Sequence, residues 1–384
     1  MSSLSHRDRV LTVLNHETPD RPVVDLAGSP ASGINLYAYQ RLQAHLGLRG
    51  PIRVQSERSL LAWPDEAVFE RFDADLRLVV ARTAEDAGKR GLFDPAAHEQ
   101  EAEFTDMWGV VRRRPPRGHY YVVGAPFEKD DLSLADLDAF PWPSPKGADT
   151  PGLIREAERL RRETDCALVV HLPGRIFSVG QFMCGFENWL VQLKINREFC
   201  EALLDRALDI QLAMAEDALK AVGDSVDILY LADDYGIQTG PLISPALFRE
   251  IFKPRMARVI QLIRRFSKAA VAFHSCGSVY ALIPDFIDVG VQVLNPIQVA
   301  AADMDTARLR REFGKHLVFW GAIDTQRVLP KGSPDEVRAE VARRVGDLWP
   351  GYFGASVHNI QAEVPPENIV AMCEALRAAR PGSA

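Results

Sequence analysis

Hydrophobic residues in the second half of the chain fall into short unbroken runs rather than alternating with polar ones. Such runs occupy Ala167–Leu172, Asp227–Ala232, Ala270–His274, Val291–Pro296, Leu317–Ile323 and Phe353–His358. Two earlier segments, Val23–Leu26 and Ala74–Val80, read the same way. Strands that are apolar at successive positions are covered on both faces, as in a parallel sheet. Between them, apolar residues recur at helical spacing. Helices are predicted over His6–His16, Asn35–Leu46, Asp65–Phe72, Gly152–Thr164, Ile176–Leu193 and Arg197–Val222. Further helices are predicted over Pro245–Phe266, Val279–Val289, Asp305–Phe313, Pro334–Leu348 and Pro366–Ala379. Eight strands alternating with helices point to an α/β fold, a (β/α)8 TIM barrel. A doubly wound open sheet is the alternative, weakened by the lack of a G-x-G-x-x-G after the first strand.

Residues 82–146 break this rhythm. Glu103–Arg114 and His119–Phe127 read as two antiparallel strands joined by the turn Pro115-Pro116-Arg117-Gly118. The expected organisation is a single barrel domain over 1–384, with 82–146 as an inserted β-hairpin excursion after strand two.

Composition narrows the function. The 384 residues are 47% hydrophobic and 25% charged, with a formal charge of -7. That balance argues against a nucleic-acid partner, and Arg112-Arg113-Arg114 with Arg117 reads as a solvated hairpin edge. No run of about 18 apolar residues occurs, so no membrane partner is expected. Met1–Asp20 is polar and lacks the apolar core of a signal peptide. Five scattered cysteines fit a reduced, cytoplasmic protein.

In a barrel of this kind, chemistry gathers at the C-terminal ends of the strands. Those ends hold Asp25 (strand one), His171 (three), Asp233-Asp234-Tyr235 (four), and His274 with Cys276 (five). They continue with Asn295 and Gln298 (six), Asp324 (seven), and His358, Asn359 and Gln361 (eight). The opposite ends carry ordinary surface residues such as Lys268, Asp288 and Lys315. His274 and Cys276, two apart on extended backbone, point the same way and can hold one metal ion together. His358 would reach them across the mouth, and Asp233 or Asp234 would be a fourth ligand or a base. The plainer alternatives are a buried inert thiol at Cys276, a hydrogen-bonded core histidine at His358 and a helix cap at Asp233-Asp234. Asn188, in QFMCGFENWL, is either a structural hydrogen-bonding residue or a substrate contact.

Several stretches resemble the uroporphyrinogen decarboxylase superfamily over nearly the whole chain. They are RDRVLTVLNHETPDRPVVD, GFENWL, DDYGIQTGPLISPALFREIFKPRM, FHSCGSVYALIPDFIDVGVQVLNPIQ, FWGAIDTQRVLP and SVHNIQAEVPPEN. The likeness is nearest to its corrinoid-dependent methyltransferases, including methylcobamide:coenzyme M methyltransferases and aryl-ether O-demethylase methyltransferases. Decarboxylases of the superfamily carry an arginine-rich loop after the first strand, whereas this chain has DLAGSPASG there. The methyltransferases bind zinc with H-x-C and a later cysteine. His274 and Cys276 match the first two ligands, and His358 stands at the third position. The resemblance implies a zinc-dependent methyltransferase, with a corrinoid (cobalamin) carried by a partner protein and a small-molecule methyl donor or acceptor. Asp234, Asp233 and Tyr235 are its expected catalytic residues. Asn188, His171, Asn295, Gln298, Asp324 and Gln361 are expected at the substrate. Related barrels also make a homodimer a candidate assembly. A decarboxylase-like lyase acting on a carboxylated substrate and a non-catalytic partner of a corrinoid protein are the alternatives.

Overall fold

The computed structural model describes residues 4–80, 91–145 and 149–380. Eight parallel strands form its centre: β1 (Val23–Val24), β2 (Leu76–Val79), β3 (Ala167–His171), β4 (Ile228–Ala232), β5 (Ala270–His274), β6 (Val293–Asn295), β7 (Val318–Ile323) and β8 (Tyr352–Ser356). Their spatial order is β1-β8-β7-β6-β5-β4-β3-β2, so β8 pairs back onto β1. Asp75 stitches the remaining seam, donating its N–H to Val24 O (2.9 Å) and accepting the Val24 N–H on its carboxylate (2.7 Å). The chain is a (β/α)8 barrel.

The unbroken apolar runs conceal a two-residue alternation. Leu168, Val170, Leu229, Leu231, Val271, Phe273, Leu294 and Phe319 point outward into the layer shared with the helices. Val169, Ile228, Tyr230, Ala270, Ala272, Val293, Val318, Trp320 and Phe353 fill the barrel interior. Both faces are dry, which is why polar residues are scarce on either. The helix His6–Leu14 plugs the N-terminal end of the barrel, packing Val10 and Val13 against the interior set.

Four local features depart from the sequence pattern. The predicted strand Glu103–Arg114 is two strands, Ala102–Thr105 and Val111–Arg114, which join Tyr121–Gly124 in a three-stranded antiparallel sheet. Asp106 makes the break: its carboxylate accepts the Trp108 and Val110 N–H groups, and Gly109 turns with φ 74. The helix predicted over Ile176–Leu193 is divided at Gly185, whose φ of 80 suits glycine because it has no Cβ. The helix predicted from Pro245 widens over Phe248–Phe252, because Pro254 has no N–H to offer and Lys253 N–H reaches back to Phe248 O. An unpredicted sheet of Ile34–Asn35, Leu61–Trp63 and Arg53–Ser56 forms beside the barrel mouth. Residues 82–90 and 146, the ends of the expected insertion, lie outside the described residues. The rest of it packs on the barrel's helices, with the Phe127 ring 5.6 Å from Phe199.

Candidate active site

The C-terminal mouth opens into a cavity of about 550 Å³. His274 ends β5, and the barrel register sets Asn295 of β6 directly beside it. The Asn295 amide N–H donates to Trp320 O, so its oxygen faces the imidazole. That oxygen accepts the His274 Nδ1–H (2.6 Å) and the Tyr230 hydroxyl (2.7 Å). Tyr230 faces Ala272 on the adjoining strand, and that small side chain lets the tyrosine ring rise toward Asn295. His274 is thereby held in one tautomer, with the Nε2 lone pair aimed into the mouth.

Cys276 lies in the turn that follows. Its N–H donates to Asp234 Oδ1 (2.8 Å), and the next N–H, of Gly277, donates to Gln298 Oε1 (2.7 Å). Gly277 has φ +85, and a Cβ there would stand 2.3 Å from the Gly236 carbonyl carbon. Only glycine permits this approach of two backbones, which fixes where the thiol sits. Cys276 Sγ is 3.4 Å from His274 Nε2, and Asp234 Oδ1 is 3.7 Å from the same nitrogen. Tetrahedral zinc with sulfur and nitrogen ligands would separate them by roughly 3.5 Å.

His358 approaches from the loop after β8. Its ring stands edge-on to His274 with centroids 5.4 Å apart. One ligand atom each from His274, Cys276 and His358 lies within 4.8 Å of the others. The donor set, two imidazoles and a thiol beside a carboxylate, fits zinc. Burial pushes both imidazoles toward the neutral form, His358 down to about 4, with the neighbouring His274 adding to the fall. Burial also raises the Cys276 thiol, with Asp234 adding to it. A bound cation reverses that preference by stabilising the thiolate. His358 differs from His274: its Nδ1 accepts the Asn359 N–H (2.8 Å), which places the ring proton on Nε2, so ligation by this imidazole requires that bond to give way.

A scan against protein-family models matches residues 122–379 to uroporphyrinogen decarboxylase (URO-D). The chain belongs to the uroporphyrinogen decarboxylase family. Among solved structures, a methyltransferase from Methanosarcina mazei superposes with a TM-score of 0.64 at 16% identity, covering 98% of this chain and 99% of that one. This likeness shows a shared fold. A B12-independent methionine synthase from Shewanella sp. W3-18-1, solved with selenomethionine, reaches a TM-score of 0.45 at 11% identity over 93% of this chain and 97% of that one. That value is too low to bear on the site. No curated protein matches the chain significantly.

Within this family member, the other candidate residues separate into groups. His171 and Asp234 line the cavity with His274 and His358. His171 is pushed down to about 3, first by desolvation within the mouth and then by the charge of Arg175, although its side chain opens onto the cavity. Asn295 holds the His274 ring and Gln298 the Gly277 N–H beside Cys276, rather than reaching into open space. Asp233 caps the helix Phe177–Cys184: its carboxylate accepts the N–H groups of Ile176 (2.9 Å), Phe177 (2.7 Å) and Ser178 (2.8 Å) and the Ser178 hydroxyl. Its oxygens are committed, which leaves Asp234 as the carboxylate facing His274 and Cys276.

Four further candidates, like Cys276, Asn295 and Gln298, lie outside the cavity lining. Tyr235 is buried among Phe177, Phe248, Phe252 and Phe286. Asn188 donates to the carbonyls of Phe127 and Lys129 in the insertion. Asp324 caps its own loop by accepting the Gln326 N–H (2.7 Å). Gln361 bonds Asn359 O and His119.

The sequence reading missed Tyr230, Arg58 and Arg175, all of which line the cavity. Tyr230 sat unnoticed within an apolar strand. Arg175, four residues after His171, was legible as a residue of a strand-end loop. Arg58 belongs to a loop that no strand-end argument reaches.

Proposed function

We propose that the protein is a zinc-dependent methyltransferase, moving a methyl group between a small methoxy, N-methyl or thiol compound and a corrinoid carried by a separate protein. One observation carries this reading. Three ligand atoms from His274, Cys276 and His358 converge at the open end of the barrel, beside a cavity sized for a small molecule. The fold shared with a methyltransferase supports it.

Zinc held there by His274, Cys276 and His358 would supply Lewis acidity to the substrate heteroatom. The chain's own residues do the rest. Asn295 and Tyr230 fix the His274 ring, and Gln298 with Asp234 fixes the Cys276 turn. Asp234, half-exposed, can hold or release a proton at its carboxylate beside the ligands. His171 stays neutral and offers the substrate a hydrogen bond without adding charge. The free cysteines accord with a cytoplasmic setting, where thiols remain reduced.

The test is metal analysis of purified protein, followed by transfer of methyl groups from methoxy compounds to free cob(I)alamin. Stoichiometric zinc is expected, lost together with transfer in His274→Ala and Cys276→Ala. Wild-type protein without zinc, and activity unchanged in His274→Ala, would remove the zinc mechanism. Decarboxylation of a simple acid with no methyl transfer would favour a lyase.

A further inference from the structure

Among the described residues, the cavity sets two arginines beside two carboxylates that are engaged elsewhere. Its charged lining comprises Arg58, Arg175, Asp233 and Asp234. Asp233 is consumed by the helix cap, and Asp234 turns toward Cys276 and His274. The nearby Asp106 bonds Arg112 (3.0 Å). Among the described residues neither Arg58 nor Arg175 meets a carboxylate. Arg175 is nevertheless well anchored, because its backbone N–H donates to Gln211 Oε1 (2.8 Å) and its carbonyl accepts from Gln211 Nε2 (2.7 Å). Gln211 thus fixes the backbone of this loop without engaging the guanidinium.

The two guanidinium groups repel one another. Partial desolvation, followed by the charges of Arg175 and Arg112, pushes Arg58 down to about 10, so it remains cationic at neutral pH. Arg175 lines the same cavity as His171, His274 and His358. Like charges left together without a counter-ion are costly, and a bound anion relieves that cost.

We infer that the protein's small-molecule substrate carries a carboxylate, held by Arg58 and Arg175, while its methyl-bearing heteroatom faces His274 and Cys276. This rests on the methyltransferase reading for the heteroatom end, but the carboxylate site stands on the arginines alone. With Asp233 engaged by the helix cap and Asp234 by the Cys276 N–H, both guanidinium groups are left to the substrate among the described residues. The loop Ala27–Gly33 has no cation to share that task.

The test is calorimetric titration of the purified protein with benzoate, 3-methoxybenzoate and neutral methoxybenzene, at low and high salt. Saturable binding of both carboxylates is expected, weakening with salt, with methoxybenzene roughly tenfold weaker or more. Arg58→Gln and Arg175→Gln should each weaken the carboxylates roughly tenfold and leave methoxybenzene unchanged. Arg175→Lys should retain part of the affinity. Thermal melts by circular dichroism confirm that each variant is folded, and Arg58, on an open loop, gives a usable variant if Arg175→Gln is not.

Failure of either carboxylate to bind the wild type, or equal carboxylate binding by the wild type and the double Gln variant, would overturn the inference. Methyl transfer from methoxybenzene as fast as from 3-methoxybenzoate would overturn it too, while sparing the methyltransferase reading. Arginine-dependent binding of 3-methoxybenzoate with no methyl transfer would uphold the carboxylate site and remove that reading instead.

Discussion

At the N-terminal end of the barrel, Asp75 and Asp227 each stand just before a strand, and both are surrounded by arginine. Asp75 accepts from Arg9 (2.6 Å) and Arg21 (2.7 Å), and Asp227 accepts from Arg7 (2.9 Å) and Arg161 (2.7 Å). Each carboxylate also takes a backbone N–H from a neighbouring strand, Val24 for Asp75 and Leu168 for Asp227. At the C-terminal end the same residue types are arranged differently. Arg58 and Arg175 face a cavity, the imidazoles are neutral, and Asp234 remains half-exposed beside a thiol. The charges of the lower end are spent on closing the barrel. Those of the mouth remain available to a ligand, which is how a barrel separates stability from chemistry.

Removing Asp75 should break the satisfied end most severely. Asp75→Asn leaves Arg9 and Arg21 buried against a neutral amide, with an expected loss of about 3–5 kcal/mol in urea unfolding. Zinc bound per folded chain should not change. A loss below about 1 kcal/mol would mean that the lower end is no better satisfied than an ordinary surface pair.

Gly277→Ala tests whether the mouth is equally particular about its backbone. The left-handed φ and the contact with Gly236 predict a cost of about 1–3 kcal/mol. Unlike Asp75→Asn, this change should also shift Cys276 and lower zinc retention on dialysis against a chelator. Full zinc retention would show that the turn does not position the thiol.

A smaller effect is expected from pH. In metal-free protein, His358 is lowered from 6.5 to about 4. Between those values the unfolded chain takes up a proton that the folded chain refuses, so stability falls as pH drops through the window. Asp25, whose carboxyl is raised by burial to about 6, has the opposite sign and favours the fold as pH falls through that value. His358→Gln removes the first contribution and keeps the second. Its denaturation midpoint should therefore fall less than that of the wild type between pH about 7 and about 5. An equal fall would exclude His358 as a buried neutral group. The smallest effect belongs to neither end: Arg113→Ala, on the exposed hairpin, should leave the midpoint unmoved.

Much of the barrel was legible because burial on both faces produces unbroken apolar runs, and chain order then places their polar ends on one rim. Other features were not legible for definite physical reasons. Asp233 and Asp234 are neighbours on extended backbone and point opposite ways. Composition cannot say which caps the helix Phe177–Cys184 and which faces the ligands. Asn188 and Gln298 are both amides near the mouth in sequence. Their partners, Phe127 and Lys129 for one and Gly277 for the other, are long-range contacts that no local pattern contains. The break of the Glu103–Arg114 strand follows from the Asp106 side chain bonding its own backbone, a short-range signal that a strand-length argument passes over.

The sequence by itself determined the eight strand positions, the barrel class and the pairing of His274 with Cys276, since two-residue spacing on a strand end is a local property. Tertiary structure decided which residues meet them. Closing the barrel carries His358 to within 4.8 Å of ligand atoms on β5 and its following turn, three strands away. The same closure brings Arg58 and Arg175 over one cavity although they are far apart in the chain. Periodicity reports which face of an element is buried. Convergence across the mouth depends on strand order, register and loop path together.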